Sequence, residues 1–278
     1  MNELVLTDAR RDELAALLAD EQRFRAEYPK VADYLDMAPQ LQGTGDERTD
    51  AAFDLRIVHY LTADVPISSN PYWDIVSPFV FEHEGRHVVN GGQTAGSSRL
   101  SYAAMLLQST YAYAIPSPET LDWIAAVSSG RSLIELGSGR GYWAAQIAQH
   151  GLSIDAYDVD PPKSTNNPSF PTAKGQRSEW HKVGSMEAFN RQKGDQEDTV
   201  LFLCWPPGWG SEMASRSLDD FEKAGGTELI FIGEPRGGKT GDERFFDLLS
   251  ENWTLASQDA RFVSWWNLKD AAQHWTKS

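Results

Sequence analysis

Two short runs of this sequence hold residue types that do chemistry at fixed spacings. The first is Phe81-Glu82-His83-Glu84-Gly85-Arg86-His87, which matches H-E-x-x-H. On a helix, residues four apart point the same way, so two imidazoles can share one zinc ion while the glutamate activates water. The flanks oppose a helix. Phe79-Val80-Phe81 and Val88-Val89 are β-prone, Gly85 lies between them and Asn90-Gly91-Gly92 follows. That pattern predicts a hairpin with His83 and His87 beside its turn. His59 lies upstream, but no histidine or glutamate follows at the distance a third ligand would take. No metal is therefore expected, and the turn is read either as plainly exposed or as a polar contact to a substrate.

The second run is Ile134-Glu135-Leu136-Gly137-Ser138-Gly139-Arg140-Gly141-Tyr142-Trp143. Its glycines fall between a buried strand and a helix, where they permit unusual backbone angles and close approach of a ligand. A second strand, Ile154 to Asp158, ends in an acid at the distance expected for a carboxylate that binds ribose hydroxyls. A dinucleotide site favours G-x-G-x-x-G, with the pyrophosphate on the helix N-terminus. This chain has an acid followed by G-x-G-x-G instead. On Glu135, Gly137, Gly139 and Gly141 it resembles the class I S-adenosylmethionine-dependent methyltransferases, over about 101 to the C-terminus and including the lead-in Tyr113-Ala114-Ile115-Pro116-Ser117-Pro118-Glu119.

The resemblance implies a site residue by residue. Glu135, Gly137, Ser138, Gly139 and Gly141 would form the cofactor turn, the middle of it along the methionine moiety. Asp158 would take the ribose. Gly184-Ser185-Met186 falls where the family carries an acid and then an apolar residue beside adenine, so here Ser185 replaces the acid and Met186 would pack on the base. Cys204, closing the fourth strand, completes the cofactor set. Leu203-Cys204-Trp205-Pro206-Pro207-Gly208-Trp209 is similar to the D/N-P-P-aromatic motif of amino-methyltransferases, but Trp205 stands in the polar position and Gly208 where the aromatic would follow. The aromatics are read as pocket walls, with packing around a rigid Pro-Pro turn as the alternative. Phe231-Ile232-Gly233-Glu234 ends the fifth strand. Glu234 either accepts a proton or anchors a cationic group there, or it pairs with Arg236 or caps a helix. Trp205 and Glu234 are thus the expected catalytic residues, and Tyr113, Trp205, Pro206, Trp209 and Glu234 the expected acceptor contacts.

These residues need elements to position them. Leu14, Leu17, Leu18 and Phe24 recur at helical spacing after the cap Thr7-Asp8, and further helices are expected over 31–37 and 51–61. Pro66 to Pro78 and Pro161 to Gly175 read as loops. Ser117-Pro118-Glu119 opens a helix that stops at Gly130. From Ser132 onward strand and helix patterns alternate, which implies a parallel sheet with helices on both faces. The expected fold is α/β and Rossmann-like. Residues 1–100 form a mostly helical cap over the sheet's carboxyl edge, and 101–278 the cofactor domain. Resemblance implies a seven-stranded, mostly parallel sheet whose last strand, Ala271 to Lys277, is antiparallel.

Composition limits the partners. The chain of 278 residues carries a net charge of −15 with pI near 4.8, so it lacks the overall basic surface that neutralises phosphates, and nucleic acid is disfavoured. Acidity also disfavours an anionic membrane surface. A single cysteine, Cys204, allows neither an internal disulfide nor an all-cysteine metal site. The N-terminus is too acidic for a signal peptide and no apolar run approaches a membrane span, so a cytoplasmic protein is expected. The expected function is methyl transfer from S-adenosylmethionine to an O or N of a small molecule. The alternatives are a non-catalytic S-adenosylmethionine-binding regulator or scaffold, an amino-methyltransferase acting on protein or nucleic acid, and a zinc protease.

Overall fold

In a computed structural model of the chain, the structure describes residues 4–64, 67–93, 97–162, 174, 177–192, 194 and 196–278. Two compact units divide it. The first holds residues 1–110 with short pieces at 172–177 and 265–267, and the second holds the rest.

The first unit is mostly helical: α1 (Asp8–Ala19), α2 (Glu21–Glu27), α3 (Pro29–Met37), α4 (Glu47–Leu61), α5 (Pro71–Val76) and α6 (Ser98–Thr110). Thr7 caps α1 by accepting from the Arg10 amide. The expected stripe does not run on to Phe24. Asp20 accepts from the Arg23 amide and starts a new helix, and Leu18 is left exposed while Leu14, Leu17 and Phe24 are buried. The loop expected over Pro66 to Pro78 needs correction. Asn70 accepts from the Trp73 amide, Pro71 takes the first helical position, and α5 buries Tyr72, Ile75 and Val76. Burial of such side chains contributes roughly 1.5–3 kcal/mol each, which outweighs the loop-like composition. Pro66 itself lies outside the described residues, as do 163–173 and 175 of the other expected loop.

The same unit contains the predicted hairpin, β1 (Val80–His83) with β2 (Arg86–Val89). Glu84 and Gly85 both have positive φ, 51° and 74°, which is the conformation of a tight two-residue hairpin turn. The register pairs His83 with Arg86 and Glu82 with His87. Paired residues share a face, so His83 and His87 sit on opposite faces of the ribbon and cannot share a metal there.

The second unit carries α7 (Pro118–Ser128), β3 (Ser132–Leu136), α8 (Tyr142–Gln149), β4 (Ile154–Asp158), β5 (Val183–Ser185), α9 (Met186–Gln192), β6 (Thr199–Cys204), α10 (Met213–Lys223), β7 (Glu228–Gly233), α11 (Glu243–Asn252), β8 (Trp253–Gln258) and β10 (Ala271–Lys277), with the first two residues of the short β9 (Val263–Trp265) ahead of the last strand. Its seven-stranded sheet has the order β5-β4-β3-β6-β7-β10-β8. The pairs from β5 to β7 are parallel, and β10 runs antiparallel to both β7 and β8. This is the expected α/β, Rossmann-like architecture, a mostly parallel seven-stranded sheet with helices on both faces, and its last strand, β10, is antiparallel as expected. Strand residues alternate between two cores. Leu133, Val200, Phe202, Ile230 and Ile232 join residues of α7 and α8. Leu201, Leu203, Leu229 and Phe231 join residues of α9, α10 and α11. The order reverses beside β3, and such a switch point is where open α/β sheets hold their ligands.

Candidate functional site

The glycine run forms the turn from β3 to α8. Gly137, Gly139 and Gly141 have φ of 77°, 56° and 71°. An L side chain at these angles is strained. Close neighbours add a steric demand: a Cβ on Gly137 would stand 2.6 Å from Met213 Cε, and one on Gly141 would stand 3.0 Å from the His181 carbonyl oxygen. The third glycine therefore serves chain packing. The turn's amides point inward. Gly137 N and Ser138 N donate to Tyr157 O at 2.9 and 3.1 Å, Gly139 N to Asp158 Oδ2 at 2.8 Å, and Gly141 N to Ser138 O at 2.8 Å. With these donors spent inside the chain, the turn does not offer the row of free N–H groups that a pyrophosphate requires.

Three predicted residues share the α7–α8 face of the sheet. Glu135 is only 2 % exposed, and its Oε2 has no hydrogen-bond partner among the described residues. Burial, reinforced by the nearby Asp158 charge, pushes its carboxyl up to about 8, with the Ala144 amide pulling the other way. Asp158 ties two backbones together, accepting from Gly139 N and from Asp160 N at 2.9 Å. The Cys204 thiol is pushed up by burial first and then by the charges of Glu135 and Asp270.

Other predicted cofactor residues lie elsewhere. Ser138 is buried, with its hydroxyl on Tyr157 O at 3.3 Å. Ser185 Oγ accepts from the Ala188 amide at 3.2 Å, so it starts α9. Met186 follows it and lines a cleft of about 910 Å³ on the α9–α10 face, together with Leu136, Val159, Phe189, Gly208 and Met213. That cleft touches the ends of β3, β4 and β6 at residues next to Gly137, Asp158 and the Pro-Pro turn. Tyr113, Trp205 and Glu234 do not line it.

The end of β6 is a second cluster. Trp205 adopts φ of 52°, a conformation that costs a bulky residue on the order of 1–3 kcal/mol. Three contacts hold it. Its amide donates to Ile232 O at 2.7 Å, its indole N–H to Asp270 Oδ2 at 3.0 Å, and its ring stacks on Tyr113 with centroids 5.3 Å apart and planes 11° from parallel. Asp270 in turn accepts from the Ser264 hydroxyl. Pro206 is buried, and the following segment is zipped to the β7–α11 loop: Gly208 N donates to Lys239 O and Gly241 N to Pro206 O. A Cβ on Gly208 would meet the Gly241 carbonyl at 2.9 Å, hence the glycine. Trp209 is 88 % exposed rather than walled into a pocket.

Glu234 is buried, and both its oxygens are taken by backbone: Lys239 N donates to Oε2 at 2.8 Å and Lys269 N to Oε1 at 3.2 Å. Thr240 Oγ1 bridges the Glu234 amide and carbonyl. Arg236 pairs with Glu243 and Asp247 instead. Asp270, Ser264 and Met213 had no local signature. Asp270 meets Trp205 across 65 residues of chain.

No protein-family model matches the chain, and no curated protein matches it. Among solved structures it is similar to an O-methyltransferase from Bacillus cereus in complex with SAH, at 13 % identity over 65 % of this chain and 90 % of that one, with a TM-score of 0.39. It is also similar to the magnesium protoporphyrin IX methyltransferase of Synechocystis PCC 6803 with bound SAH, at 12 % identity over 64 % of this chain and 84 % of that one, TM-score 0.37. Likenesses this loose bear on neither activity nor ligand.

Proposed function

We propose that the second unit binds S-adenosylmethionine and transfers its methyl group to an O or N of a small molecule. The observation that carries this is the constellation at the ends of β3 and β4. A glycine turn with internally spent amides lies between Asp158 and a buried, half-unpartnered Glu135. A cofactor whose reactive end is cationic fits a buried carboxyl better than a dinucleotide phosphate would. Gly137 to Gly139 and Glu135 would hold the methionine end, Asp158 the ribose, and Met186 with the cleft beside it the adenine. When bound, the cofactor supplies a methyl carried on a sulfonium, which leaves as a neutral sulfide. The chain's part is to position the acceptor, which can supply much of the rate. Tyr113 and Trp205 would face it, with Pro206 and Glu234 holding the loops that carry them. A base is needed only where the acceptor must lose its proton.

One observation favours a second reading, a non-catalytic binder: the carboxylate of Glu234 is spent on the Lys239 and Lys269 amides. Incubation with methyl-labelled S-adenosylmethionine and size-fractionated cell extract separates the two. Label in a small molecule supports transfer. Tight cofactor binding with no label transferred supports the binder, and label in protein or nucleic acid supports an amino-methyltransferase.

A further inference from the structure

Strained residues that several contacts hold in place concentrate at functional sites. Trp205 is one: left-handed, fixed through its amide, its indole N–H and its ring face. What it supports is Tyr113, a residue 56 % exposed whose ring stacks on it at 11° from parallel. What stands behind it is Asp270, 4 % exposed, which accepts the indole proton. A carboxylate accepting an indole N–H pushes electron density into the ring and so deepens the negative potential over the stacked faces. Asp270 also reaches the neighbouring Cys204, whose thiol is pushed up by burial first and then by the acids Glu135 and Asp270. Lys239 and Lys269 give Glu234 their backbone amides and carry exposed side chains.

We propose that the Tyr113–Trp205 stack, backed by Asp270, is a subsite for an organic cation, an ammonium group carried by the acceptor. As an acceptor subsite it rests on the methyltransferase reading, whereas cation binding as such does not. Asp270 acts as a positioning residue: it aims the indole and charges its surroundings without touching the ligand.

The test uses choline and its neutral carbon isostere as probes, with affinities measured by ligand-observed NMR on the full chain. Cation–π recognition predicts that choline binds roughly five- to thirtyfold tighter than the isostere. Tyr113→Leu, at a half-exposed position that does not threaten the fold, should abolish that preference. Asp270→Asn keeps an acceptor for the indole but removes the charge. It should reduce the preference at least about threefold while the isostere's affinity stays put, whereas a merely structural residue would move both probes together. Equal affinity for the two probes in the wild type, or a preference that survives Tyr113→Leu, overturns the proposal even where Asp270→Asn fails to fold. An unchanged preference in folded Asp270→Asn removes Asp270 from it. A parallel calorimetric titration with S-adenosylhomocysteine keeps the two readings apart. Absent binding there sinks the methyltransferase reading and leaves the cation preference standing.

Discussion

Glu135 is a carboxyl sealed into an apolar core beside a second acid. Its folded value of about 8 stands above the ordinary 4.5, so between those pH values the native chain keeps a proton that the unfolded chain releases. The contribution of that proton is fully present below about 4.5 and is lost as pH rises through about 8. Glu135→Gln has no proton to lose. Its stability relative to wild type should therefore rise by about 1.4 kcal/mol per pH unit across that window and level off above it. Urea denaturation of both proteins over a pH series checks this, and parallel stability curves would contradict it. At this scale the sequence is informative where the chemistry is contiguous. The turn at Gly137 to Gly141 and the acid Asp158 are readable because strand, turn and helix follow one another. Asp270 is not readable, because its meaning comes from an indole 65 residues away. Glu234 shows the same limit: its position at a strand end suggests chemistry, but its partners are amides from two distant loops.

Among the elements, the loops after β6 and β7 behave as one piece. The Pro207–Thr240 bridge joins them, and Glu234 staples the second to the segment before β10. Glu234→Gln sets an NH₂ group against a backbone N–H in a buried place. It should cost about 1–3 kcal/mol in urea unfolding and leave cofactor affinity unchanged. An unchanged midpoint would show that the staple holds nothing. The hairpin makes a separate prediction. With His83 and His87 on opposite faces, His83→Ala and His87→Ala should leave the metal content of the purified protein as it was. Loss of one zinc per chain in both variants, together with loss of peptide hydrolysis, would restore the protease reading. The hairpin was legible because Gly85 interrupts two β-prone runs. Helix α5 was not, because Ser, Asn and Pro around it read as loop until Asn70 is seen as its cap. Strand β8 escaped for another reason: most of its residues are exposed, so no buried alternation marks it.

For the whole molecule, the net charge of −15 favours neutral or cationic ligands over anionic ones. Among the described residues no helix is long and apolar enough to cross a membrane. The α/β alternation gave the mostly parallel sheet from local patterns alone. The sorting of its residues into two cores follows from strand alternation once the order is known. The measurement closest to the central claim is a calorimetric titration with S-adenosylmethionine of wild type, Gly139→Val and Asp158→Ala. Wild type should bind one equivalent. Gly139→Val places a branched side chain at a φ of 56° beside Asp158, so binding should be lost while the fold survives by circular dichroism. On the proposed site, Asp158→Ala would remove charge-assisted hydrogen bonds to the ribose and should raise the dissociation constant roughly ten- to a hundredfold. No heat of binding in wild type, or the same affinity in all three proteins, would contradict the cofactor site at the ends of β3 and β4.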